Sequence, residues 1–139
     1  FFRDLADVSI DGRAAADGID ATQTPFDDAY YQADPLPDEQ RDQTLAWLRR
    51  YIDRLLRDGT PDRVRRERMN AVNPKYVLRN YLAQMAIDKS EVGDHSMVNE
   101  LLEVLRRPYD EQPGKEEFAK KRPEWARHRA GCSMLSCSS

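Results

Sequence analysis

Apolar residues recur three and four positions apart from Asp38 onward, the pattern of helices that bury one face. Leu45, Leu48, Ile52, Leu55 and Leu56, flanked by Trp47 and Tyr51, form one stripe and predict a helix over about residues 39–57. Asp58-Gly59 ends it, because glycine takes the left-handed conformation that closes a helix. Thr60-Pro61-Asp62 supplies a capping hydroxyl, a proline at the first helical position and an acid in the first turn. A second helix therefore runs to Val72, with a thin apolar face. Asn73-Pro74 repeats the device and predicts a third helix to Glu91, its buried face made by Val77, Leu78, Tyr81, Leu82 and Met85 and its end by Gly93. Asp94 caps a fourth, in which Val98, Leu101, Leu102 and Leu105 pack and Pro108 follows Arg106-Arg107 as a stop. Beyond a Pro113-Gly114 turn, Glu116 to Lys121 around Phe118 and Pro123-Glu124-Trp125-Ala126 predict short helical turns.

No strand is required. The pattern predicts an all-α protein, a bundle of about four main helices with an irregular acidic N-terminal segment and a cysteine-containing C-terminal tail. The expected organisation is a lead over residues 1–38 with a short helix at its start, a helical domain over 39–127 and a tail over 128–139. Phe1-Phe2-Arg3-Asp4-Leu5-Ala6 opens, without Met, on an amphipathic stretch already under way, so the chain reads as a fragment of a longer protein.

Charge sharpens this division. The 22 basic and 25 acidic side chains leave a net charge of −3, but residues 1–40 carry −8, residues 41–80 carry +6 and the remainder −1. The acidic lead is poor in aliphatic residues from Asp11 to Gln40 and contains Pro25, Pro35 and Pro37. It reads as a linker or a long surface loop, with Phe26, Tyr30 and Tyr31 as candidate anchors. In the basic stretch, Arg63-Val64-Arg65-Arg66-Glu67-Arg68 clusters guanidinium groups of the kind that bind phosphate oxygens. The acidic pI of about 5.4 and the lack of interleaved aromatics argue against nucleic acid and for a helix surface facing solvent or another domain. No apolar run reaches the ~20 residues of a membrane span and no secretion-signal pattern opens the chain, so the expectation is a cytoplasmic protein without a membrane partner.

Candidate chemistry is sparse. There is no Gly-rich phosphate loop, no GxSxG, no HExxH and no CxxC, so no catalytic or cofactor-binding residue is expected within these residues. His128, Cys132 and Cys137 are nitrogen and sulfur donors separated by three and four residues, but a fourth ligand and the usual zinc spacing are lacking, and His95 joins them only through folding; no metal site is expected. Cys132 and Cys137 lie among small polar residues, which predicts exposed or mobile thiols and makes redox chemistry their natural role. They have two alternatives as disulfide partners: each other, or a thiol elsewhere in a longer parent. Arg127, His128 and Arg129 would raise their thiolate fraction if the tail folds back. Asn73 is explained by capping, while Arg79, Asn80 and Gln84 are polar positions facing solvent or a neighbouring helix.

The run Met69-Asn70-Ala71-Val72-Asn73-Pro74-Lys75-Tyr76-Val77-Leu78-Arg79-Asn80-Tyr81-Leu82-Ala83-Gln84 is more specific. It resembles the C-terminal region of the selenoprotein O family, whose bacterial group is called YdiU. The resemblance continues through the Leu101-Leu102 helix, Pro108-Tyr109-Asp110-Glu111-Gln112-Pro113, Arg122-Pro123-Glu124-Trp125-Ala126 and the closing Cys137-Ser138-Ser139. It covers residues 69–139 well and 39–68 loosely. What it implies is a bacterial, protein-kinase-like (pseudokinase) protein adenylyltransferase that moves AMP from ATP to Ser, Thr or Tyr hydroxyls of protein substrates with Mg²⁺ or Mn²⁺. The nucleotide and metal sites of such a protein lie in a kinase-like core upstream, and none of their roles transfers to a residue here. Selenocysteine stands third from the end in eukaryotic members, so the resemblance points to Cys137 as the redox residue. Cys132 departs from a single-cysteine pattern and is an alternative partner for it. On this reading the chain is a non-catalytic helical portion whose partner is its own core; the rival reading is a free-standing helical module that binds protein or nucleic acid through Arg63 to Arg68.

Overall fold

The computed structural model describes residues 1–11 and 37–132. The described residues are all-α, with five helices: α1 (Phe2–Ala6), α2 (Asp38–Asp58), α3 (Asp62–Val72), α4 (Asn80–Glu91) and α5 (Ser96–Leu105). They fall into two compact units, Phe1–Asn73 and Pro74–Ser139. The division thus comes at Asn73, inside the helical domain expected over 39–127, and the first helix belongs with α2 and α3.

In the first unit, α2 turns Leu45, Leu48, Ile52 and Leu55 inward at the expected helical spacing. Leu48, Ile52 and Leu55 meet Leu5 and Ile10, with Val8, Tyr51, Leu56 and Met69 packed around them. Burial of each such side chain contributes about 1.5–3 kcal/mol. Gly59 closes α2 with φ of 62°, and its amide donates to the Leu55 carbonyl 3.0 Å away. The next helix starts one residue later than the Thr60-Pro61 reading places it, with Pro61 as its N-cap and no side-chain cap. Its inward face is thin in apolar groups because Asp62 and Arg65 occupy it.

In the second unit the main correction concerns residues 74–79, expected as the start of a helix and found non-helical. Asn73 is the C-cap of α3, its Nδ2 donating to the Met69 carbonyl at 2.7 Å. The Pro108 carbonyl then takes the amides of both Lys75 and Tyr76, at 2.8 and 3.1 Å, tying the segment to the chain beyond α5. Tyr76 is only 1% exposed as a result, while Val77 and Leu78, expected inside, are about half exposed. Gln112 locks this corner: its Nε2 donates to the carbonyls of Val104 at 2.9 Å and Arg107 at 2.8 Å, and its own carbonyl accepts the Tyr76 hydroxyl at 3.3 Å.

The fourth predicted helix also presents a different face. Met97, Leu101 and Val104 are buried, whereas Val98 and Leu102 are exposed. Tyr81, Leu82, Ala86, Met97, Leu101, Ala126 and Cys132 form the second core, with Met85 and Phe118 against it. Two short 3-10 turns, Glu116–Ala119 and Glu124–Ala126, carry the chain back over α4.

Candidate functional site

Three surfaces are candidates, two of them anticipated from the sequence. The arginine cluster of α3 is largely committed within its own unit. Arg65 is buried and pairs with Asp62 at 2.7 Å, Arg63 pairs with Glu67 at 2.7 Å, and Arg66 reaches Asp7 at 2.9 Å. Guanidinium groups so engaged offer phosphate fewer donors than the sequence run implies.

The root of the C-terminal tail is built on α4. Arg129 pairs with Asp88 at 2.7 Å and lies over the Trp125 ring, 5.7 Å from its centroid. Trp125 in turn meets Tyr81 edge to face at 6.4 Å, and the Tyr81 hydroxyl donates to the Lys120 carbonyl at 3.0 Å. Gln84 donates to Asp88 at 2.9 Å. The Gln84 amide foremost, and with it the Arg129 hydrogen bond and charge, hold the Asp88 carboxyl below its ordinary range against the upward push of desolvation. Gly131 adopts φ of +80°, and a Cβ there would collide with Oε1 of Gln84. That turn delivers Cys132 into the core.

Cys132 is therefore corrected: it is a free thiol only 5% exposed, packed in the α4–α5 core, where an exposed or mobile tail residue was expected. Its neighbours are apolar and aromatic, so hydrophobic packing overrides the small polar residues around it in sequence. Cys137 and the last seven residues lie outside the described residues. His128 is exposed, and among the described residues no three His, Cys, Asp or Glu side chains are grouped to hold a metal ion.

The third surface is one that helical periodicity in the sequence misassigned. Leu78, Ala83, Ile87, Val98, Leu102 and Leu105 line an open groove of about 590 Å³ between α4 and α5, with Ser90 and Glu91 also on its lining. The signal was present in α5, whose apolar residues cover two adjacent stripes instead of one.

No family model matches the chain. Curated relatives do. It is 58% identical over its whole length to the protein nucleotidyltransferase YdiU of Rhodopirellula baltica, of which it covers 27%. It is 52% identical over its whole length to that of Aromatoleum aromaticum, of which it covers 25%. Over 94 residues, 68% of this chain and 18% of the relative, it is 68% identical to the YdiU of Xanthomonas campestris. The chain thus spans about a quarter of the length of the two relatives it matches throughout, and with identities of this size from end to end it belongs to the YdiU family.

Proposed function

We propose that this chain is the C-terminal, non-catalytic helical portion of a bacterial protein adenylyltransferase, supporting a kinase-like core that transfers AMP from ATP to Ser, Thr or Tyr of proteins. The observation that carries the reading is the 58% identity across the whole chain to a protein named as a protein nucleotidyltransferase, only 27% of which the chain spans. On this reading, nucleotide and Mg²⁺ or Mn²⁺ belong to the kinase-like core that the family resemblance implies outside these 139 residues. What this chain supplies is a rigid base for its tail. Arg129, Asp88 and the buried Cys132 fix where the last residues leave the fold, and Cys137 is the redox group they carry. Burial sets Cys132 aside as a partner, which favours a thiol elsewhere in the full-length protein within the tail's reach. Oxidation joins the two sulfurs, with two protons and two electrons passing to a small-molecule disulfide.

The test is AMP transfer by the full-length protein, oxidised and reduced, beside its Cys137→Ser variant. Activity that changes with reduction and becomes indifferent to it in Cys137→Ser supports a regulatory tail. Activity indifferent to both limits this region to structural support, and a full-length protein that neither binds ATP nor transfers AMP overturns the reading.

A further inference from the structure

α5 carries more apolar surface than its own unit buries. Met97, Leu101 and Val104 turn into the core, while Val98, Leu102 and Leu105 form a second stripe one position further round the helix. Val98 and Leu102 are 46% and 50% exposed, and Leu78 and Ile87, on the same groove, are 51% and 49% exposed. Isolated exposed apolar residues are ordinary, but four large ones on one concave surface mark an interface. A groove between two helices with apolar walls fits the nonpolar face of a third helix, whose residues at i, i+3 or i+4 and i+7 fill it. The chain covers 27% and 25% of the two relatives it matches throughout, so nearly three-quarters of such a protein lies outside it and is available to provide that helix. Glu91, an exposed residue at the groove, favours a Lys or Arg at the edge of the incoming apolar face.

We infer that the α4–α5 groove seats an amphipathic helix from the part of the full-length protein outside residues 1–139, with a basic residue of that helix against Glu91. The inference rests on the reading of this chain as one portion of a larger transferase, but its test needs no enzyme activity. In the full-length protein, Leu102 is replaced by photoreactive p-benzoyl-phenylalanine, and in a control Val92, 83% exposed and off the groove, is replaced instead. After irradiation, the cross-linked peptides are mapped by mass spectrometry. The expected result is a link at monomer mass from position 102 to a helical segment outside residues 1–139. Adding Ile87→Glu, at a half-exposed position that a folded unit tolerates, is expected to abolish it, and Glu91→Lys to reduce it. A link to residues within 1–139, a link to a second copy, or a yield no greater than the Val92 control overturns the inference. Retention of the link in a protein that transfers no AMP would sink the proposed function and leave this seat standing.

Discussion

Asp62 and Arg65 form an ion pair 2.7 Å apart on successive turns of α3, with both side chains only 7% exposed. The pair does more than neutralise itself. The Asp62 carboxylate accepts the Ser9 hydroxyl at 2.6 Å and the amides of Ile10 and Asp11 at 2.9 and 3.2 Å, while Arg65 donates to the Val8 carbonyl. Four consecutive residues after α1 are thereby clamped to α3 by side chains of a stretch that the sequence reading places on a helix surface facing solvent or another domain.

Removing one member leaves the other buried without its counter-charge. Asp62→Ala is expected to lower stability by about 3–5 kcal/mol in chemical denaturation. The exposed pair Arg63 and Glu67 provides the contrast, with Glu67→Ala expected to change stability by less than about 1 kcal/mol. Equal effects of the two substitutions would show that the clamp does not hold the first unit together.

The same clamp sets an acid limit. Burial pushes the Asp62 carboxyl up, but the Ser9 hydroxyl, the Ile10 and Asp11 amides and the Arg65 charge together outweigh it and hold the group below its ordinary value. A carboxyl depressed in the folded state contributes its full stabilisation above the unfolded value near about pH 4 and loses it as pH falls through the folded value. Denaturation midpoints measured from neutral pH downward should therefore fall below about pH 4 in the wild-type chain and fall less steeply in Asp62→Asn.

Legibility followed chemistry that is local in sequence. α2 has one apolar stripe, a glycine at its end and a single buried face, so its periodicity fixed both its extent and its packing. Asn73-Pro74 carried two readings, a cap for the next helix or an exit from the last one. The choice depends on the Pro108 carbonyl, more than thirty residues away, which takes the amides of Lys75 and Tyr76 and keeps this segment out of a helix. α5 was recognised as a helix but not oriented, because two adjacent apolar stripes satisfy the same spacing and only tertiary contacts select Met97, Leu101 and Val104. For Cys132, local composition pointed outward and long-range packing against α4 and α5 prevailed.

Gln112 makes a sharper case of such a distant constraint. Its amide nitrogen serves two carbonyls at the end of α5, and its backbone carbonyl receives the Tyr76 hydroxyl. Gln112→Ala leaves buried acceptors unsatisfied and is expected to cost about 1–3 kcal/mol. Tyr76→Phe removes only the long 3.3 Å bond and should cost about 1 kcal/mol or less, so a reversed order in urea midpoints would contradict the assignment.

The tail root can be probed through Asp88. Its carboxyl is held low by the Gln84 amide in first place and by Arg129 after it. Followed by carbon-detected NMR titration, Asp88 should move up toward its ordinary range in Gln84→Ala and also in Arg129→Ala, which removes both a hydrogen bond and a neighbouring positive charge. An unchanged titration in both variants would mean that the latch onto α4 is not formed in solution.

Cys132 supplies the last prediction, because its burial separates two roles that the sequence leaves joined. A thiol 5% exposed among Tyr81, Leu82, Ala86 and Met97 reacts only when the fold opens, whatever basic residues stand nearby in the chain. In a Cys137→Ser background, alkylation of Cys132 should be slow and should accelerate in step with denaturant. Cys132→Ser places a hydroxyl in an apolar core and is expected to cost about 1–3 kcal/mol, more than a surface substitution would. If Cys132 instead alkylates at the rate of a free thiol while the chain remains folded, the buried root is wrong. The disulfide between Cys132 and Cys137 then returns as the simpler account of the tail.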